Sequence, residues 1–179
     1  MRKYVALAAA AALLLTACSG GDGPPEGWTR VEESGMRFDV PDSWVDTGGL
    51  NERWTMSWQD VEGDDASIQL AAAPALGHYT ALEAQGLLMA SAQIGGLPGY
   101  EVVENRDDLG VSNRELTRLD FTCEPEEGTV YDGVLLTAAR RDGQAVALQV
   151  TGTDLDDATV EHLQESLAVV ATDETAVDG

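Results

Sequence analysis

The segment Val130–Val150, VYDGVLLTAARRDGQAVALQV, predicts the centre of a β-sheet. Residues 130–141 are apolar on both faces around the letters VLL, which is typical of a central strand covered on both sides. Asp142-Gly143 then indicates a hairpin turn, because glycine accepts the positive φ that tight hairpins require. The return strand carries apolar residues at alternate positions, namely Val146, Leu148 and Val150.

Similar alternation predicts strands before this hairpin. Met36, Phe38 and Val40 alternate with charged residues, which is the period-2 pattern of a half-buried strand. The other predicted strands are Trp28–Glu32, Arg53–Gln59, Ser67–Ala72, Tyr100–Asn105 and Arg114–Cys123. Strands in series, with helices only at separated points, are typical of the α+β class with a mainly antiparallel sheet.

Two helices are predicted, and both would cover sheet surface. Residues 80–83, TALE, fit a capping box, and two glycines end this helix after residue 94. Its apolar stripe is predicted at Ala84, Leu87, Leu88, Ser91 and Ile94. A second helix is predicted over residues 156–171, where acidic residues at the start suit the helix dipole. Its predicted buried stripe is Val160, Leu163, Leu167 and Val170.

The N-terminus carries the pattern of a lipobox, Leu15-Thr16-Ala17-Cys18, where a bacterial signal peptide is cut and the new N-terminal cysteine is lipidated. Arg2 and Lys3 form a positive start, and the apolar run Val5–Leu15 has 11 residues. As a helix this run would be about 16 Å long, which is too short for a bilayer core of about 30 Å and typical of a signal peptide. The alternative is an ordinary cleaved signal peptide with an unrelated cysteine at its end.

This leader sets the expected domain organisation and location. Residues 1–17 are the signal peptide, residues 18–27 hold lipidated Cys18 and a Gly/Pro-rich tether, residues 28–171 form one globular α+β domain, and residues 172–179 form a disordered tail. The rest of the chain has no apolar segment long enough to span a bilayer, so the lipid would be the only anchor. Two acyl chains suffice to hold the domain on the outer face of the cell membrane.

Charge and cysteine content exclude several classes of protein. Removing residues 1–17 removes Arg2 and Lys3 and no acid, so the formal net charge changes from −22 to −24. Such a chain is not expected to bind nucleic acid or to dock electrostatically on anionic lipid. Once Cys18 is lipidated, Cys123 is the remaining cysteine, so no internal disulfide is expected. Cys123 lies on an apolar strand face and is predicted to be a buried, inert thiol.

The tryptophans are the first candidates for a binding surface. Trp28, Trp44, Trp54 and Trp58 crowd into one quarter of the domain. Their faces could stack on a sugar or a lipid headgroup, but Trp54 and Trp58 share a strand face with Met56 and are interpreted as core residues. Trp44 follows the turn at residues 41–43 and is the predicted edge of an exposed pocket.

Catalytic and metal-binding patterns are absent from the sequence. The acidic clusters, such as Asp60/Glu62/Asp64/Asp65, lack the order of a calcium-binding loop and are interpreted as solvated turns and helix caps. His78 and His162 are not accompanied by a zinc, serine-hydrolase or phosphate-loop motif. The sequence therefore predicts no catalytic residue, no metal and no cofactor.

The order of motifs resembles a known family. A lipobox and tether followed by Phe38-Asp39-Val40-Pro41-Asp42-Ser43-Trp44, and Gly99-Tyr100-Glu101-Val102 after the first helix, are similar to actinobacterial lipoproteins of the LpqN type, within the PsbP-like group. The resemblance implies an α/β/α sandwich and a non-enzymatic accessory or binding role in the cell envelope. It implies no catalytic residues.

Two functional hypotheses follow. The first is a lipid-tethered accessory module that holds a partner protein or cell-wall ligand on a sheet face or loop rim. The alternative is an envelope hydrolase or metal-dependent enzyme whose site assembles only in the fold, from His78 and the acidic loops.

Overall fold

The computed structural model describes residues 23–110, 114–141 and 143–171. Within these ranges the strands are β1 (Trp28–Glu33), β2 (Met36–Pro41), β3 (Val45–Asp46), β4 (Met56–Gln59), β5 (Ile68–His78), β6 (Glu101–Arg106), β7 (Arg114–Glu126), β8 (Thr129–Arg140), β9 (Gln144–Gly152) and β10 (Ala168–Val169). The helices are α1 (Ala81–Ser91), which continues into a π-helical turn at Ala92–Gly96, and α2 (Asp157–Ser166). The predicted signal peptide, Cys18 and the tail lie outside the described residues.

None of the described helices is long and apolar enough to cross a membrane.

The hairpin predicted from Val130–Val150 lies at the centre of the larger sheet. β8 and β9 pair antiparallel up to Ala139 opposite Ala145. In the turn, Asp142 lies outside the described residues, while Gly143 has a φ of +90° and donates its N–H to the Arg140 carbonyl at 2.9 Å. The larger sheet has the order β3-β4-β5-β9-β8-β7-β6, and a smaller sheet has the order β1-β2-β10. Because the pairings are antiparallel and helices flank the sheet, the predicted α+β class is confirmed.

The two faces of the larger sheet are covered differently. On one face, the smaller sheet and α2 pack over alternate residues of the central strands and form the larger core. Its fully buried residues include Phe38, Leu70, Leu136, Leu148 and Leu163. On the other face, α1 packs on β7, β8 and β9 through Leu88, Leu119 and Leu135. The β4–β5 side of that second face is therefore left open by the helix.

The start of α1 was predicted correctly, but its buried face only in part, since Ala84 and Leu88 are buried as predicted and Leu87, Ser91 and Ile94 are not. The Glu83 N–H donates to Thr80 Oγ1 at 3.2 Å and the Thr80 N–H donates to Glu83 Oε2 at 2.9 Å, which completes the capping box. Leu87 and Ile94 from the predicted stripe are 41% and 88% exposed. The regular helix ends at Ser91 and the π-helical turn changes the angular position of later residues. The buried residues of α1 are Ala81, Ala84, Gln85 and Leu88.

The second helix is shorter than the predicted range 156–171. It ends at Ser166, because Leu167 is extended with a ψ of 122° and Ala168–Val169 pair with β2. The Val170 N–H donates to the Gly35 carbonyl at 2.8 Å. Val169 and Val170 are β-branched, and such residues favour an extended backbone paired with a neighbouring strand. Val170 is therefore outside the helical stripe, whereas Val160, Leu163 and Leu167 are buried as predicted.

Candidate functional site

A cleft of about 810 Å³ lies on the α1 side of the larger sheet, over the area that the helix leaves uncovered. Its floor consists of sheet side chains, and its walls are residues 50–54, the end of α1 with its π-helical turn, and the end of β7. The main floor residues are Gln59, Ser67, Gln69, Cys123, Tyr131, Gln149 and Thr151. The cleft is therefore bounded by parts of the chain that are distant in sequence.

A polar row crosses the floor. β4 pairs Gln59 with Gln69, and β5 pairs Gln69 with Thr151 of β9. Gln149 lies on the same face of β9, two residues from Thr151, and all four residues are half-buried. Side chains directly opposite each other in antiparallel strands lie about 5 Å apart at Cβ. The carboxamides and the hydroxyl therefore offer a closely spaced set of hydrogen-bond donors and acceptors.

The wall before β4 is held by its own hydrogen bonds. Asn51 Oδ1 accepts the N–H groups of Arg53 at 2.9 Å and Trp54 at 3.1 Å, and the Leu50 N–H donates to the Trp54 carbonyl at 2.8 Å. Arg53 Nη1 donates to Ser91 Oγ at 3.1 Å, which joins this wall to the end of α1. Trp54 packs against the smaller core beside the cleft. These bonds hold Trp54 in the lining.

The floor of the cleft is more apolar on β7 and β8 than on β4 and β5. Cys123 and Tyr131 are paired across β7 and β8 and line the cleft together with Leu97. Cys123 is 2% exposed, and burial raises the pKa of its thiol. A neutral buried thiol is a poor nucleophile. This environment agrees with the prediction that Cys123 is a buried, inert thiol.

Trp44, Trp54 and Trp58 do not share one surface. Trp58 is buried in the larger core, with its ring edge against Phe38 at a centroid distance of 5.5 Å. Trp54 lies outside β4 and packs on the other face of the sheet, so the prediction that it shares a face with Met56 and Trp58 is wrong. Trp44 is half-buried against the larger core and is not part of the cleft lining. Its contact with a ligand stays a prediction.

Neither of the two histidines lines the cleft. His78 is exposed at the end of β5. His162, on α2, lies against Trp28 with the two rings tilted by 37° and their centroids 3.9 Å apart. Its Nε2 lies 3.2 Å from Asp39 Oδ2, and Asp39 also accepts from Arg30 Nε at 2.9 Å. This buried carboxylate joins β1, β2 and α2 and serves the packing of the smaller sheet.

The acidic turn after β4 is built around Asp60. Its carboxylate accepts the N–H groups of Ser67 at 3.0 Å and Ile68 at 3.1 Å, as well as the Ser67 hydroxyl. Burial acts to raise the pKa of Asp60, but these hydrogen bonds outweigh it and the pKa is lowered. Among the residues that the structure describes, no three His, Cys, Asp or Glu side chains are grouped closely enough to hold a metal. The observed role of Asp60 is to close the turn.

Comparison with known proteins supports the architecture. CyanoP, the cyanobacterial PsbP from Synechocystis sp., matches with a TM-score of 0.57 and 16% identity over 87% of this chain and 98% of its own. The fold is PsbP-like. LpqN from Mycobacterium tuberculosis, a protein involved in cell envelope biogenesis, matches with a TM-score of 0.52 and 14% identity over 80% of this chain and 91% of its own. No protein-family model and no curated protein matches the sequence.

The resemblance inferred from the sequence is thus confirmed at the level of the PsbP-like fold. Assignment to the actinobacterial LpqN type stays a prediction.

Sequence reasoning missed the glutamines of the floor. Gln149 and Thr151 lie on the face of central strand β9 that α1 would cover if it extended further. Polar residues on one face of a central strand are the signal that could have located the opening, because a fully covered face is apolar along its length. The sequence carries no such signal for the walls of the cleft. The segments that form them are brought close together only by the packing of α1.

Proposed function

We propose that this protein is a non-enzymatic accessory lipoprotein of the bacterial cell envelope. It is held on the outer face of the cell membrane by lipidated Cys18 and binds a partner protein or cell-wall component in the cleft. The observation that carries the proposal is the uncovered, polar-floored part of the central sheet. Its volume of about 810 Å³ lies within the range of ligand sites, about 300–1,000 Å³.

The lining favours binding over catalysis. The lining combines a floor of carboxamides and hydroxyls with apolar walls. These groups orient a ligand without activating it. The thiol in the lining is buried, with a raised pKa, and neither histidine lines the cleft. The role of LpqN in cell envelope biogenesis is extended to this chain as part of the proposal.

The anchor is tested by mass spectrometry of the native protein. We expect the mature chain to begin at Cys18 and to carry a diacylglyceryl adduct, because two acyl chains are needed for firm membrane retention. A Cys18→Ala variant should leave the membrane fraction or retain its leader. An unmodified residue 18, or a leader still attached to the wild-type chain, would contradict the proposed anchor.

The cleft is tested by site-specific photo-crosslinking in intact cells. Leu50 lies at the rim and is 46% exposed, so Leu50→p-benzoylphenylalanine should give a crosslinked adduct. The same substitution at Glu161, exposed on α2 away from the cleft, is the matched control and should give none. Adding Gln149→Leu to the Leu50 probe removes one floor hydrogen bond and should lower the yield roughly fivefold. Equal yields from positions 50 and 161 would sink the proposed binding role.

A further inference from the structure

The cleft is a trough that crosses the strands of the larger sheet. Its lining runs from Gln59 on β4, through Gln69 and Gln149 on β5 and β9, to Tyr131 and Cys123 on β8 and β7. The order β4-β5-β9-β8-β7 places four inter-strand steps between its ends. At about 4.8 Å a step, the floor is about 19 Å long, which is the length of about six residues of extended chain at 3.3 Å each.

The floor is suited to peptide groups. A carboxamide side chain offers both a donor and an acceptor, as a peptide group does. Gln59, Gln69 and Gln149 lie along the floor and carry no charge. An extended segment crossing them could exchange backbone hydrogen bonds with the amides while its side chains meet Trp54 and Leu97 on the walls.

The ends of the trough are acidic. Glu52 lies in the wall that precedes β4, and Glu126 is the last residue of β7, so the two acids line the β4 and β7 ends respectively. Both side chains are exposed. The third charged residue of the lining, Arg53, donates to Ser91 in the wall. The chain as a whole has a formal net charge of −22, which attracts cationic ligands and repels anionic ones.

We infer that the cleft binds an extended, basic peptide segment of a partner protein, with cationic side chains near Glu52 and Glu126. This inference rests on the proposed binding function and adds the chemistry of the partner. The polar row pairs with the peptide backbone. The two acids lie at the ends of a floor about 19 Å long, so the basic residues that meet them are about six positions apart in the peptide.

The test uses the full-length protein in detergent and an immobilised array of octapeptides. Each peptide contains two arginines separated by one to seven positions in a Gly/Ser background, with matched glutamate and glutamine series. We expect the tightest binding for arginines five or six positions apart. The glutamate series should not bind, and raising the salt concentration to about 0.5 M should weaken the arginine series, because exposed ion pairs are screened.

Two variants with the same change in net charge separate a local from a global effect. Glu52→Gln/Glu126→Gln should weaken the best arginine peptide about tenfold, since it removes two partly exposed ion pairs. Glu161→Gln/Glu165→Gln changes two exposed acids on α2, on the opposite face of the sheet, and should change binding less than twofold. Equal losses in both variants, no preference for spacing, or equal binding of the arginine and glutamine series would overturn the inference. The proposed function would still stand in that case if the crosslink from position 50 were specific.

Discussion

Gly133→Ala is expected to lower the free energy of unfolding by about 3 kcal/mol, the upper part of the range for overpacked cores. Gly133 is buried in β8 and is paired with Phe121 of β7. A Cβ at this position would lie 2.3 Å from two atoms of the Phe121 ring, far inside van der Waals contact. Phe121 is itself 2% exposed and packs against Tyr100, so its ring has little room to move. Urea unfolding followed by circular dichroism measures the change.

Gly86→Ala is the matched control for this substitution. A Cβ at Gly86, within α1, has no neighbour within 4 Å, so alanine should stabilise the protein by about 0.5–1 kcal/mol through helix propensity. The double variant Gly133→Ala/Phe121→Leu tests the cause, because a smaller side chain should absorb part of the strain and make the two effects non-additive. A Gly133→Ala variant as stable as the wild type would contradict the packing described for β7 and β8.

Asp39→Ala is expected to lower the free energy of unfolding by about 2 kcal/mol. The carboxylate is 2% exposed and bonds to both Arg30 and His162. Removing one partner of a fully buried ion pair costs about 3–5 kcal/mol, because a charge is left buried without a counter-ion. The Arg30 side chain keeps 29% of its exposure and can turn to solvent, which reduces the expected cost.

A double-mutant cycle isolates the Asp39 pair. Asp39→Ala and Arg30→Ala together should cost less than the two single changes added, by about 1 kcal/mol of coupling. Glu32→Ala on the exposed side of β1 is the control, and its effect should stay within about 0.5 kcal/mol. Additive costs at Asp39 and Arg30 would mean that the pair does not stabilise the smaller sheet.

Local patterns in the sequence located the elements whose cause is itself local. The capping box at Thr80 and the hairpin around Gly143 depend on residues within four positions of each other, and both were found. The end of α2 was missed because β10 forms only where β2 offers a partner edge. The face of Trp54 was also missed, since the loop that carries it is shaped by Asn51 and by the bond from Arg53 to Ser91.

The sequence by itself determined the α+β class, the central hairpin and the acidic character of the chain, because periodicity and composition are properties of neighbouring residues. Only the tertiary structure decided that α1 stops short of β4 and β5 and leaves Gln69 and Gln149 uncovered. It also decided that Asp39 meets His162, a residue 123 positions away. Such contacts depend on the relative packing of whole elements, and no spacing within one strand or helix encodes that packing.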